Sequence, residues 1–120
     1  MIPKIYAVWV YVNDLEQSRS FYQNALGLKE RLKDGTWLEF DLGQTTFAIY
    51  ERPKEKGPLK PQKTRIMFQT DDIKNAAKQV EKNGGKLIGS VRKENYGNLQ
   101  TFEDPNGHWL ELFEPKKYEN

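Results

Sequence analysis

The residues best suited to chemistry lie in one stretch, Asp104-Pro105-Asn106-Gly107-His108-Trp109-Leu110-Glu111-Leu112-Phe113. Asp104, Pro105, Asn106 and Gly107 stand in the order a type I turn favours, so a tight turn feeds a strand. Along that strand Trp109, Glu111 and Phe113 point one way, and Leu110 and Leu112 the other. A carboxylate flanked by aromatics on one face is odd for a plain core strand and suits the wall of a pocket. There Glu111 can serve as a general base, or hold a cationic or hydroxyl-bearing ligand. The plainer alternative is a carboxylate paired with an internal cation. His108 is the sole histidine. It stands three residues from Glu111, which puts it on the opposite strand face, and it reads as a surface or turn-end residue.

Positioning Glu111 takes a framework, and the pattern supplies one twice. Residues 5–12 read as a buried strand, β-branched and aromatic. Val8, Val10 and Val12 form one face; Ala7, Trp9 and Tyr11 form the other. Asp14 is a helix N-cap with Glu16 and Gln17 in the first turn. A helix over 15–26 lines up Phe21, Tyr22, Ala25 and Leu26, and Gly27 ends it. Strands are expected over 28–33, 36–42 and 45–51, with turns at Asp34-Gly35 and Gly43-Gln44. Residues 52–63 carry Pro53, Pro58, Pro61 and several lysines, and read as a solvated connector. A strand over 65–70, a cap at Asp71-Asp72 and a helix over 73–83 follow. Gly84-Gly85 ends that helix, and strands follow over 86–92, 99–103 and 109–114. Tyr96-Gly97-Asn98 reads as a turn or lip.

Both halves therefore spell β-α-β-β-β, with module 1 over about 4–51 and module 2 over about 64–115. Superposing Asp14-Leu15 on Asp72-Ile73 brings Gly27 onto Gly85 without a gap, and Ala7 onto Arg65. Such self-similarity implies a duplicated unit. The class is α+β: two βαβββ modules, each covering one sheet face with its helix, their other faces forming a curved, partly closed mixed sheet around a cavity. By strand parity Trp9, Tyr11 and Tyr50 of module 1 share that concave face, with Trp37 joining if the hairpin register allows. In module 2, Met67, Gln69, Trp109 and Phe113 do the same. These side chains either fill the cavity, form a dimer interface, or stack a planar or apolar ligand.

Composition limits the alternatives. The chain has 120 residues, 37% hydrophobic and 30% charged, with net charge +2. Interspersed charge of both signs argues against a nucleic-acid partner, and no such motif is present. No cysteine occurs, so disulfide and thiolate chemistry are excluded. The run from Ile5 to Val12 is too short to span a membrane and lacks a signal-peptide cleavage pattern. A cytoplasmic location is the expectation.

The chain resembles the vicinal oxygen chelate superfamily, which includes glyoxalase I, bleomycin-resistance proteins and extradiol dioxygenases. The matching residues are Val12-Asn13-Asp14-Leu15, Phe21-Tyr22-Gln23-Asn24-Ala25-Leu26-Gly27-Leu28, Thr70-Asp71-Asp72-Ile73 and the stretch from Asp104 to Leu112. The resemblance implies paired βαβββ modules, often in a homodimer, with the site inside the curved sheet. Its metal enzymes hold a divalent ion with side chains from both modules. Carried over, those positions are Ala7, Ala48, Arg65 and Glu111. Alanine has no donor atom, and arginine offers only N–H groups. One carboxylate is not a metal site. The resemblance thus points to the metal-free branch, with no cofactor, and to a small-molecule ligand. Within it, Arg65 is the expected internal partner of Glu111, a guanidinium standing in electrostatically for the ion. The enzymatic alternative is a lyase, isomerase or dioxygenase with Glu111 as base and Arg65 as anion clamp, or with a metal bound elsewhere.

Overall fold

The computed structural model describes residues 5–62 and 66–116. The chain divides into two compact units, residues 1–60 and 61–120, a boundary that falls in the proline-rich stretch. Each unit is a four-stranded mixed sheet with one α-helix, so the class is α+β, and neither sheet closes into a barrel.

In the first unit the elements are β1 (Val8–Val12), α1 (Leu15–Leu26), β2 (Lys29–Asp34), β3 (Trp37–Asp41) and β4 (Thr46–Glu51). The sheet order is β1-β4-β3-β2, with β1 parallel to β4 and the other pairs antiparallel. Strand alternation sorts the side chains. Val10, Val12, Leu38, Phe40, Phe47 and Ile49 are buried, as are Phe21, Tyr22 and Ala25 of α1. Tyr22 lies 5.0 Å from Phe47 and 6.1 Å from Phe40, ring centre to ring centre, joining helix to sheet.

The second unit repeats the plan with β5 (Met67–Gln69), α2 (Ile73–Lys82), β6 (Lys86–Glu94), β7 (Gly97–Glu103) and β8 (Trp109–Pro115), in the order β5-β8-β7-β6. Its core gathers Phe68, Ile73, Ala77, Val80, Phe102, Leu110 and Leu112.

Both helices begin with the same double cap. Asp14 accepts from Gln17 N–H, and Asp72 from Asn75 N–H. Glu51, at the end of β4, accepts from Leu15 N–H at 3.0 Å. Glu114, near the end of β8, accepts from Ile73 N–H at 3.1 Å. Each carboxylate thus ties its last strand to the first helical amide and offsets the helix dipole there.

Several boundaries differ from the sequence reading. The first strand starts at Val8 rather than residue 5. The hairpin turns lie at residues 35–36 and 95–96. Gly97 and Asn98 are therefore strand residues rather than part of a turn or lip. A side chain at Gly97 would collide with the Glu114 carbonyl and the Phe113 ring, so the backbones can approach only because Gly97 has none. Among the described residues, the connector contains a 3₁₀ turn, Lys54–Lys56, whose Lys56 carbonyl joins Gly57's in holding Arg52. His108 is buried, 1% exposed, rather than on the surface. Its Nδ1 accepts from Gln62 N–H at 2.8 Å, and Asp104 accepts from the His108 and Asn106 N–H groups. The Asp104 turn is thus a closed polar knot, with Gly107 N–H donating to the Asp104 carbonyl.

Candidate functional site

In the second unit, Glu111 pairs with Met67 across β5 and with Thr101 across β7. Parity then sets Met67, Gln69, Leu99, Thr101, Trp109, Glu111 and Phe113 on the face away from α2. Glu111 is buried, 4% exposed. Arg92 of β6 reaches it: Nη2 lies 3.2 Å from both carboxylate oxygens. Arg92 Nη1 also donates to Thr101 Oγ1 at 3.1 Å, and that hydroxyl donates to Glu111 Oε2 at 3.1 Å. Guanidinium, hydroxyl and carboxylate close a ring of charge-assisted hydrogen bonds. Arg65, the partner expected from sequence, lies outside the described residues. Arg92 was missed because its facing depends on where the β6–β7 hairpin turns.

The register of the two sheets fixes the correspondence between units. Trp9 pairs with Ala48 as Met67 pairs with Glu111, and Glu39 faces Ala48 as Thr101 faces Glu111. Ala48 is thus the first unit's counterpart of Glu111. The first unit nonetheless keeps a carboxylate on this face, one strand over. Glu39 is 2% exposed. Its Oε2 accepts from Trp37 Nε1–H at 3.0 Å and from the Tyr6 hydroxyl at 3.0 Å. Arg31 Nε lies 3.6 Å from Oε1, while Arg31 Nη1 donates to Thr46 Oγ1. The hydrogen bond to Glu39, reinforced by its charge, raises the Tyr6 phenol above its ordinary pKa, because losing the proton would set two negative charges together.

On the same face as Glu39 stand the aromatics that parity selected, joined by Trp37. Trp9 lies 4.9 Å from Tyr11, 5.9 Å from Trp37 and 5.9 Å from Tyr50, and Trp37 lies 6.0 Å from Tyr50. The Arg52 guanidinium sits 5.0 Å over the Tyr11 ring. In the second unit, Trp109 Nε1–H donates to Glu103 and Phe113 packs 6.0 Å from Tyr96, while Met67 and Gln69 are exposed. A separate polar cavity of about 490 Å³ lies beside the 95–96 turn, between Glu94, Asn98, Glu114 and Lys116. It contains none of these site residues, and Glu114 is already engaged there by Asn98 and α2.

Two βαβββ units of this kind are consistent with the fold of the glyoxalase/bleomycin resistance protein/dioxygenase superfamily. The chain belongs to that superfamily, whose model matches residues 4–112. It is 26% identical over 115 residues to the uncharacterized protein YetH of Bacillus subtilis, covering 90% of this chain and 95% of that one. It is 29% identical over 118 residues to a lactoylglutathione lyase of Neisseria meningitidis, covering 88% and 86%. Among solved structures it resembles the hypothetical protein SA1046 of S. aureus, with TM-score 0.78, 23% identity and 95% and 94% coverage; that likeness speaks to the fold.

The superfamily's metal ligands set a test of fit. Ala7 and Ala48 offer no donor atom, and Glu111 is held by Arg92 and Thr101. Among the described residues, no three His, Cys, Asp or Glu side chains gather in a group able to hold a metal ion. These residues do not fit a divalent metal at the inherited position.

Proposed function

We propose that the protein binds a small aromatic or amphipathic organic molecule on its ring-bearing sheet faces, without a divalent metal. The observation that carries this reading is the guanidinium of Arg92 on both oxygens of Glu111. A cation of the chain itself meets the one inherited carboxylate, so that site balances its charge without an ion. Ala48 on the matching strand of the first unit supports the same reading, as do the rings of Trp9, Tyr11, Trp37 and Tyr50, which provide apolar contact area. The reading takes the protein as a cytoplasmic homodimer, an arrangement frequent in the superfamily.

The test is a thermal-shift screen of aromatic metabolites and antibiotics on native protein, repeated on Trp9→Ala and Arg92→Ala. A ligand at one hundred times its Kd stabilises by about 2.7 kcal/mol, and the shift should vanish in the Trp9 variant. Metal analysis of the purified protein runs alongside. Stoichiometric nickel, zinc, manganese or iron would overturn the metal-free reading.

A second reading is favoured by the 29% identity to lactoylglutathione lyase. In it Glu111 serves as a base and Arg65 as an anion clamp. Both Glu111 oxygens already accept hydrogen bonds, so a substrate proton would compete there with the Arg92 and Thr101 donors. Turnover of lactoylglutathione, assayed with and without added divalent metal, would select this reading over simple binding.

A further inference from the structure

We infer that the aromatic face of the first unit takes an organic ammonium cation, seated against Trp9, Trp37 and Tyr50 and drawn there by Glu39. This assignment presupposes the binding role proposed above and names the ligand chemistry of one of its faces.

Three observations lead to it. The first is ring geometry. The centroids of Trp9, Trp37 and Tyr50 form a nearly equilateral triangle with edges of 5.9, 5.9 and 6.0 Å, and their planes cross at 66–72°. A group above such a triangle sits about 5 Å from all three centroids at once, inside the ~6 Å reach of cation–π attraction. Trp9 is 41% exposed, so the corner opens to solvent.

The second is charge. Glu39 takes neutral hydrogen bonds from Trp37 and Tyr6, which leave its full negative charge in place. Its ion-pair partner among the described residues, Arg31 Nε, stands at 3.6 Å on a half-exposed side chain, whereas Arg92 grips both oxygens of Glu111 at 3.2 Å. Of the two buried glutamates, Glu39 is the one less closely met by positive charge. Donating its N–H to that carboxylate also enriches the Trp37 ring in electron density, which strengthens its attraction for a cation.

The third is a precedent within the same cluster. The Arg52 guanidinium rides 5.0 Å over Tyr11, held there by the carbonyls of Lys56 and Gly57. Tyr11 stacks 5.7 Å from Tyr50, so the chain already places a cation on the rim of this aromatic surface.

The test uses choline and its uncharged isostere 3,3-dimethylbutanol, followed through the indole N–H signals of ¹⁵N-labelled protein. Choline should bind about tenfold more tightly than the isostere, or better, and shift the Trp9 and Trp37 signals. Trp9→Leu should abolish the binding. Glu39→Gln should reduce the discrimination to about threefold or less. Trp37→Phe, which keeps a ring and the carboxylate but removes the N–H, gives an independent check should the Glu39 variant fold poorly. Equal affinity for the two compounds, discrimination unchanged in both variants, or no response to choline would each overturn the assignment. If uncharged aromatics from the thermal-shift screen still bind in that case, the broader binding role stands without it.

Discussion

Replacing Arg92 by methionine keeps the side-chain stem but leaves Glu111 charged and buried. Charge-assisted hydrogen bonds are worth about 1.5–3 kcal/mol each, and stripping the partner from a fully buried ion costs about 3–5 kcal/mol. The Arg92 side chain is 42% exposed, so water can reach the gap and part of that cost is screened. Thr101 Oγ1 still donates to the carboxylate. A loss of about 2 kcal/mol is the expected result. Urea unfolding of native, Arg92→Met, Glu111→Gln and double-variant protein gives the coupling directly. The double variant should recover about 1 kcal/mol or more relative to the sum of the single losses, since an uncharged amide no longer needs the guanidinium. A coupling below about 0.5 kcal/mol would show that Arg92 does not neutralise Glu111.

Gly97→Ala should destabilise by about 2–3 kcal/mol in the same unfolding assay, since its methyl group would press on the Glu114 carbonyl and the Phe113 ring. Glu51→Ala and Glu114→Ala should each cost about 1 kcal/mol, and hydrogen exchange should speed at the Leu15 and Ile73 amides respectively. Tyr6 should ionise later than an ordinary tyrosine in an ultraviolet titration, and Tyr6→Phe should delete that late step. A raised folded-state pKa means that the Tyr6–Glu39 hydrogen bond contributes stability below about pH 10, which is lost as pH climbs through the raised value.

The repeated β-α-β-β-β order, the two Asp N-caps and the split of each strand into helix-facing and open faces were all legible, because they depend on local spacing and on period-2 or period-3.6 patterning. The grouping of Trp9, Tyr11 and Tyr50 followed from the same parity, while Trp37 joined them only through the β3–β4 register. Glu39 was within reach as well. Trp37-Leu38-Glu39 repeats the pattern of Trp109-Leu110-Glu111, so the argument that singled out a carboxylate beside an aromatic in one strand applied equally to the other.

What the chain alone determined, then, is which residues share a strand and a face, since alternation needs no knowledge of neighbours. Only the folded sheets decided which residues meet across strands. The turn at residues 95–96, rather than one position later, sets the β6–β7 register, and that register aims Arg92 at Glu111. Likewise, the pairing of β3 with β4 puts Glu39 opposite Ala48. Hydrogen bonds between strands fix such pairs, and a one-residue shift in a hairpin reverses which side chains face one another.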